Sequence, residues 1–221
     1  MHLPGLTLVH STVSLPGMAL PVTSVLVAAG QARILVSPGS RLSAAQLQGL
    51  APVTDLVAPS LLHTAGMPGA AAALPTARLW GPPGAAARDP RVQWSATLGE
   101  TPWPFDEEVA LFPIEGMPKV REFVLLHRPS RTLLLTDLAF NLVDARGLGA
   151  RIALGLFGTW RRFAVSRLYL SMVRDRGAFK RSLAPLLSAE FDHVLPSHGA
   201  PIFNEGKARL HAALAERGLV D

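Results

Sequence analysis

Apolar residues in this chain fall in short runs punctuated by glycine and proline. Val22–Ala28 and Ala32–Ser37 are rich in Val, Leu and Ile, and Ala29-Gly30-Gln31 between them is a natural tight turn. The pattern predicts a β-hairpin. Ser37-Pro38-Gly39 ends its second strand, and Ser43 is a suitable N-cap for a helix through Ala44–Leu50, whose apolar residues recur at helical spacing. Val53–Ala58 reads as a buried strand that stops at Pro59 and delivers the chain to His63.

Met67–Leu74 predicts a short alanine-rich helix, Thr76–Trp80 a strand, and Gly81–Arg91, with its prolines and glycines, a long loop. Val120–Leu126 and Thr132–Thr136 form a second predicted hairpin around Arg128-Pro129-Ser130, with Val109–Pro113 as a third neighbour. That hairpin ends at Asp137. From Gly147 to Met172 the chain reads as helical, broken into two helices by Gly155 and Gly158. Ala178–Leu187 predicts another helix, Asp192–Leu195 a strand, and Glu205–Arg217 a last helix ending at Gly218. No internal repeat is visible.

Composition narrows the class. At 221 residues, 49% hydrophobic and 17% charged, the chain suits one α/β domain over 1–221 with a sizeable core. A basic helical insertion is expected at about 144–188. Between Asp144 and Arg181 nine basic residues (Arg146, Arg151, Arg161, Arg162, Arg167, Arg174, Arg176, Lys180, Arg181) stand against Asp144 and Asp175. That segment accounts for the sign of the net charge of +5. It lacks the interleaved aromatics that stack bases, so nucleic acid is not an expected partner; a solvated face, or a lid favouring an anionic substrate, are the two readings.

The arginines also interrupt every apolar run before the roughly 20 residues of a membrane span. The first residues lack a basic leader and are broken by Pro4, Pro16 and Pro21, so no signal peptide is read and the cytoplasm is the expected compartment. Cysteine is absent, which removes thiolate metal sites and cysteine nucleophiles and leaves His, Asp or Glu for any metal.

There is no Walker loop, no G-x-S-x-G elbow and no H-E-x-x-H. What remains are polar residues just past predicted strand ends, where α/β folds place their chemistry. Three such runs are Asp55-Leu56-Val57-Ala58-Pro59-Ser60-Leu61-Leu62-His63, Arg131-Thr132-Leu133-Leu134-Leu135-Thr136-Asp137 and Val194-Leu195-Pro196-Ser197-His198-Gly199.

Together these runs resemble the metallo-β-lactamase superfamily, in which a strand leads into an H-x-H-x-D-H loop, a later strand ends in an aspartate, and P-x-H-G stands near the C-terminus. The order matches over nearly the whole chain. The resemblance implies an αββα four-layer sandwich with two mixed sheets face to face. It also shows departures: the loop reads Ala58-x-Ser60-x-Leu62-His63, and Met117 stands where a further histidine ligand is expected. By this correspondence the ligands of one family metal position are replaced, while His63, Asp137 and His198 of the other remain and Leu62 departs. A Pro-x-x-x-His loop of this kind resembles a branch carried as a domain of unknown function.

Two imidazoles and one carboxylate suit one divalent ion, zinc or iron, with open positions for water. The expected activity is then a mononuclear metal-dependent hydrolase acting on a small ester, thioester or phosphoester. The alternative is a non-catalytic descendant that binds a ligand or partner and no metal, with His63 and His198 as hydrogen-bonded structural groups and Asp137 as a turn cap. An oxygen-dependent iron enzyme is a third reading. Trp94 and Trp103, in the proline-containing loop region, are the candidate substrate-binding residues; Trp80, Trp160, Phe105 and Phe112 are read as covering the sheet. His127 and His193 are read as packing or surface groups, and His2, His10 and His211 carry no pattern. Oligomeric state is not legible.

Overall fold

The computed structural model describes residues 3–15, 18–144 and 148–221; His2, Pro16, Arg146 and Gly147 lie outside the described residues. The first sheet begins with β1 (Leu6–Leu15) and β2 (Met18–Ala29), antiparallel, followed by β3 (Ala32–Val36) antiparallel to β2. β4 (Asp55–Val57), β5 (Arg78–Gly81) and β6 (Ala96–Thr97) then add in parallel, in the order β1-β2-β3-β4-β5-β6. The parallel steps are crossed by α1 (Ala44–Gln48), α2 (Met67–Ala73) and α3 (Ala85–Arg88).

The second sheet is an antiparallel meander of β7 (Val109–Pro113), β8 (Phe123–His127) and β9 (Thr132–Leu135). A two-residue ribbon, β10 (Phe140–Asn141) and β11 (Phe163–Ala164), flanks α4 (Leu148–Phe157). After α5 (Arg167–Ser171) and α6 (Arg176–Ser188), β12 (His193–Pro196) joins the second sheet parallel to β9, and α7 (Gly206–Ala215) follows.

Strand side chains alternate between faces, and the alternation builds four layers. Val25, Val27, Ile34 and Val36 of the first sheet meet Phe123, Leu125, Leu134 and Leu195 of the second in a core between the sheets. The intervening residues point outward: Leu26, Leu35 and Leu56 pack under Leu47 of α1 and Met67 of α2. On the far side Val124, Leu126, Leu133 and Val194 pack under Phe179 and Leu183 of α6 and Leu210 of α7. Helix, sheet, sheet and helix is the sandwich that the three runs led one to expect.

Several elements differ in extent from the pattern-based reading. β1 was not anticipated: its Thr, Ser and His residues dilute the apolar signal of a strand at the sheet edge. Val120 lies in a turn in which its N–H donates to Met117 O (3.0 Å), so the strand starts only at Phe123. The 81–91 loop contains α3. Gly155 does not break the helix; a Cβ added there would meet nothing within 4 Å, so glycine costs only its propensity of about 1 kcal/mol. Gly158, at φ 71°, ends α4. Ser43 caps α1 as expected, in a capping box with Gln46.

Candidate metal centre

Two strand pairs set up the site. β9 and β12 are parallel and in register, Leu135 opposite Pro196, so Asp137 and His198, each two residues past its strand, emerge at the same end of the second sheet. In the first sheet β3 and β4 are likewise parallel, Val36 opposite Val57, and bring Ser37 and the loop to His63 to one end. Backbone bonds join the ends across the sandwich: Thr23 N–H donates to Ser197 O (2.8 Å), Leu61 N–H to Val120 O (2.8 Å) and Phe123 N–H to Pro59 O (2.7 Å).

Two glycines are required by this closeness. A Cβ on Gly66 would overlap the carbonyl of Pro38, and one on Gly199, at φ 113°, would overlap the carbonyl of Asn141. Gly199 lets the loop after β12 zip to β10, with Asn141 N–H donating to His198 O (3.0 Å) and Ala200 N–H to Asn141 O (2.9 Å).

His63, Asp137 and His198 converge at this end. Each offers one ligand atom within 4.8 Å of the others, and they are the one such group among the described residues. His63 Nε2 lies 3.3 Å from Asp137 Oδ2, and His198 Nε2 lies 3.6 Å from Oδ1. Behind the rings, His198 Nδ1 donates to Pro21 O (3.1 Å), while His63 Nδ1 is 2.6 Å from Ser37 Oγ. A carbonyl can only accept, so it holds the His198 proton on Nδ1 and turns the Nε2 lone pair toward the carboxylate. The ring is held by Phe140, stacked on it at 5.2 Å between centroids.

Asp137 Oδ2 is buried and has no well-aligned hydrogen-bond donor; its close polar neighbour is His63 Nε2, which pairs with it only when that ring is protonated. Burial alone would raise the Asp137 pKa, but the positive charge of protonated His63 outweighs it and holds the carboxyl well below the usual range. For His63, burial works against the charged form, yet the charge of Asp137 prevails and raises its pKa above 6.5.

Beneath Asp137 lies a carboxylate that strand patterning did not single out. Glu122 is fully buried; its Oε1 accepts from Thr136 N (3.1 Å), Thr136 Oγ1 (2.7 Å), Asp137 N (3.0 Å) and Leu138 N (3.2 Å), and its Oε2 from Tyr169 Oη (2.7 Å). Burial and the nearby charge of Asp137 raise the Glu122 pKa. The same two causes, burial and then the charge of Glu122, keep the Tyr169 phenol protonated as its donor. The available signal was a charged residue opening an apolar strand, together with the chain's single tyrosine. Ser37 was also missed as a site residue, being read only as a strand end; it is a buried residue at φ 54°, outside the conformations serine usually takes.

The trio opens on a cavity of about 250 Å³ whose walls include Val13, Leu20, Val22 and Leu62. Trp94 and Trp103 do not line it. Trp94 packs with the core under α1 and α2 and donates to Asp89 O (3.3 Å). Trp103 lies between the sheets, edge-on to Trp80 and Phe105, and donates to Val109 O (2.6 Å). Ala58 and Met117 are buried in core, and Ser60 Oγ accepts the Leu62 N–H (3.3 Å). His127 is a packing group, bonded to Ser130 Oγ (2.6 Å) and Ala28 O (3.2 Å), and His193 accepts from Asn204 N (2.9 Å).

Solved structures resemble this arrangement over nearly its whole length. A metallo-β-lactamase from Pontibacter korlensis superposes with a TM-score of 0.64 at 13% identity, covering 96% of this chain and 95% of that one. The chain has the metallo-β-lactamase fold. FIM-1 from Pseudomonas aeruginosa, solved in its mono-zinc form, shares the fold at a TM-score of 0.63 and 17% identity, covering 98% and 93%. The DIM-1 metallo-β-lactamase gives 0.66 at 17%, covering 97% and 94%. No protein-family model matches the sequence, and no curated protein is significantly similar to it. Within the metallo-β-lactamase fold, the His/Asp/His group is a set of side chains able to hold a metal.

Proposed function

We propose that His63, Asp137 and His198 hold one divalent ion, zinc or iron, and that the protein is a mononuclear hydrolase of a small ester, thioester or phosphoester. The observation that carries this reading is the buried Asp137 carboxylate between two ring nitrogens, its Oδ2 without a well-aligned donor and the proton of the ring beside Oδ1 held on its far side by Pro21 O. An acceptor left without a donor costs roughly 1–3 kcal/mol, and more when charged. A lone pair turned toward a carboxylate is repulsive unless a cation lies between them or the ring takes a second proton.

When bound, such an ion supplies Lewis acidity and lowers the pKa of a coordinated water toward about 7. The chain's residues do the rest. Pro21 O and Ser37 Oγ orient the two rings, the outer-sphere role that fixes ligand tautomers. Glu122 fixes the turn that presents the Asp137 carboxylate. Val13, Leu20, Val22 and Leu62 keep the cavity wall apolar and limit bulk water.

Elemental analysis of protein purified without added metal tests the reading. One equivalent of zinc or iron is expected, lost in His198→Ala and in Asp137→Asn. Zinc at about 100 times its Kd should stabilise the wild type by about 2.7 kcal/mol and leave both variants unmoved. Hydrolysis of aryl ester, thioester and phosphodiester probes should follow metal content. A metal-free protein whose melting ignores zinc would overturn the proposal and leave the trio as a hydrogen-bonded scaffold in a non-catalytic descendant of the fold.

A further inference from the structure

We propose that the outer face of α4 and α5 is a docking surface for an anionic lipid bilayer. Among the described residues four large hydrophobic side chains are exposed, and three of them, Ile152 (56%), Leu156 (68%) and Leu168 (51%), lie on these two helices. Ile152 and Leu156 are four apart and so share one face of α4. The Arg167 guanidinium donates to Leu156 O (3.2 Å), which joins the start of α5, with Leu168, to the end of α4. A Cβ added at Gly155, between the two exposed α4 residues, would meet nothing within 4 Å, so this face is open. Single exposed leucines are ordinary, but a cluster of this kind marks an interaction surface.

Charge selects the occupant. Residues 148–181 carry eight basic residues against Asp175 alone, an excess larger than the +5 of the whole chain, so the remainder is net acidic. On α4 and α5 themselves Arg151 and Arg167 are exposed and no acidic residue is present, and aliphatic side chains beside such arginines match an interface of acyl chains beneath anionic headgroups. A second copy would bring two basic segments together, and a nucleic acid would leave the aliphatics without a partner. Among the described residues no helix is long and apolar enough to cross a membrane, and the proposed contact is a peripheral one.

The surface lies beside the candidate centre. The inner face of α4, Ala150 and Leu154, packs with Leu20 and Phe140; Leu20 lines the cavity and Phe140 stacks on His198. The fourth exposed hydrophobic residue, Leu62, is also in the cavity wall.

Co-sedimentation with vesicles of equal parts phosphatidylglycerol and phosphatidylcholine, against phosphatidylcholine alone, tests the proposal without any need for metal. Partition onto the anionic vesicles is expected, weakened as salt approaches about 1 M. The double variant I152E/L156E should lose about tenfold or more in partition while keeping its melting temperature and metal content, because both side chains face solvent. The milder I152A/L156A should fall between. Absent partition, equal partition onto both vesicle types, or partition untouched by I152E/L156E would overturn it. So would a dimer in light scattering that I152E/L156E dissociates, since the face would then be covered by a second copy.

Discussion

Asp137 is the residue on which the candidate centre turns, because it faces two rings and is held from behind by main-chain bonds to Glu122. Its interaction with His63 has a pH signature in the metal-free protein. The His63 pKa is raised above 6.5, so its share of stability is complete below that value and is lost as pH rises through the higher folded value. The Asp137 pKa is lowered from 3.8, so its share is present above 3.8 and is lost only as pH falls through the lower folded value. The melting temperature in excess chelator should therefore fall as pH rises above about 6.5. With zinc the trend should reverse, since deprotonating His63 frees a ligand. A flat chelated profile would remove the His63–Asp137 pairing as a stabilising contact. Ser37 gives a second test at this scale: Ser37→Ala removes the partner of His63 Nδ1 and should weaken zinc affinity about 10–100-fold in a competition titration, with little change in fold.

Among elements, the parallel pair of β9 and β12 aligns Asp137 with His198, and the short turn after β9 does the aiming. That turn is built around Glu122, which receives three backbone N–H groups and two hydroxyls on one buried carboxylate. Glu122→Ala would leave five donors facing a cavity. It should cost about 3 kcal/mol or more in urea denaturation and reduce metal retention through misplacement of Asp137. A loss under 1 kcal/mol would show that water or a backbone shift satisfies the donors, and that Glu122 does not set the turn. The 109–136 meander is legible in the sequence because short apolar runs and the Arg128-Pro129-Ser130 turn are local signals. The apolar pattern sets one boundary early at Val120, where the bond of that residue to the Met117 carbonyl curls the chain instead of extending it.

For the whole molecule, the centre spans both sheets, with His63 carried by the first and Asp137 and His198 by the second. Its geometry depends on the core between them. Leu125 lies fully buried in that core, and Leu125→Ala should destabilise by about 2–5 kcal/mol. Thermal melting with and without zinc should show the same metal-dependent increment in this variant as in wild type below its transition. A lost increment would mean that the sheets shift when the core is thinned.

The sequence by itself determined the order of strands and helices and singled out the trio as candidates. Short apolar runs mark the buried strands, and His63, Asp137 and His198 stand just past the ends of such runs; the four-layer order is what the family resemblance carried by those runs implies. Tertiary structure decided what chain order cannot carry. Ser37 and His63 are 26 residues apart, Glu122 and Tyr169 are 47, and Pro21 and His198 are 177, and each pair meets only because separate strands end at one edge of the sandwich. The same holds for Trp94 and Trp103, which pack partly buried against the core and away from the cavity, on apolar area that becomes available only once the layers have closed.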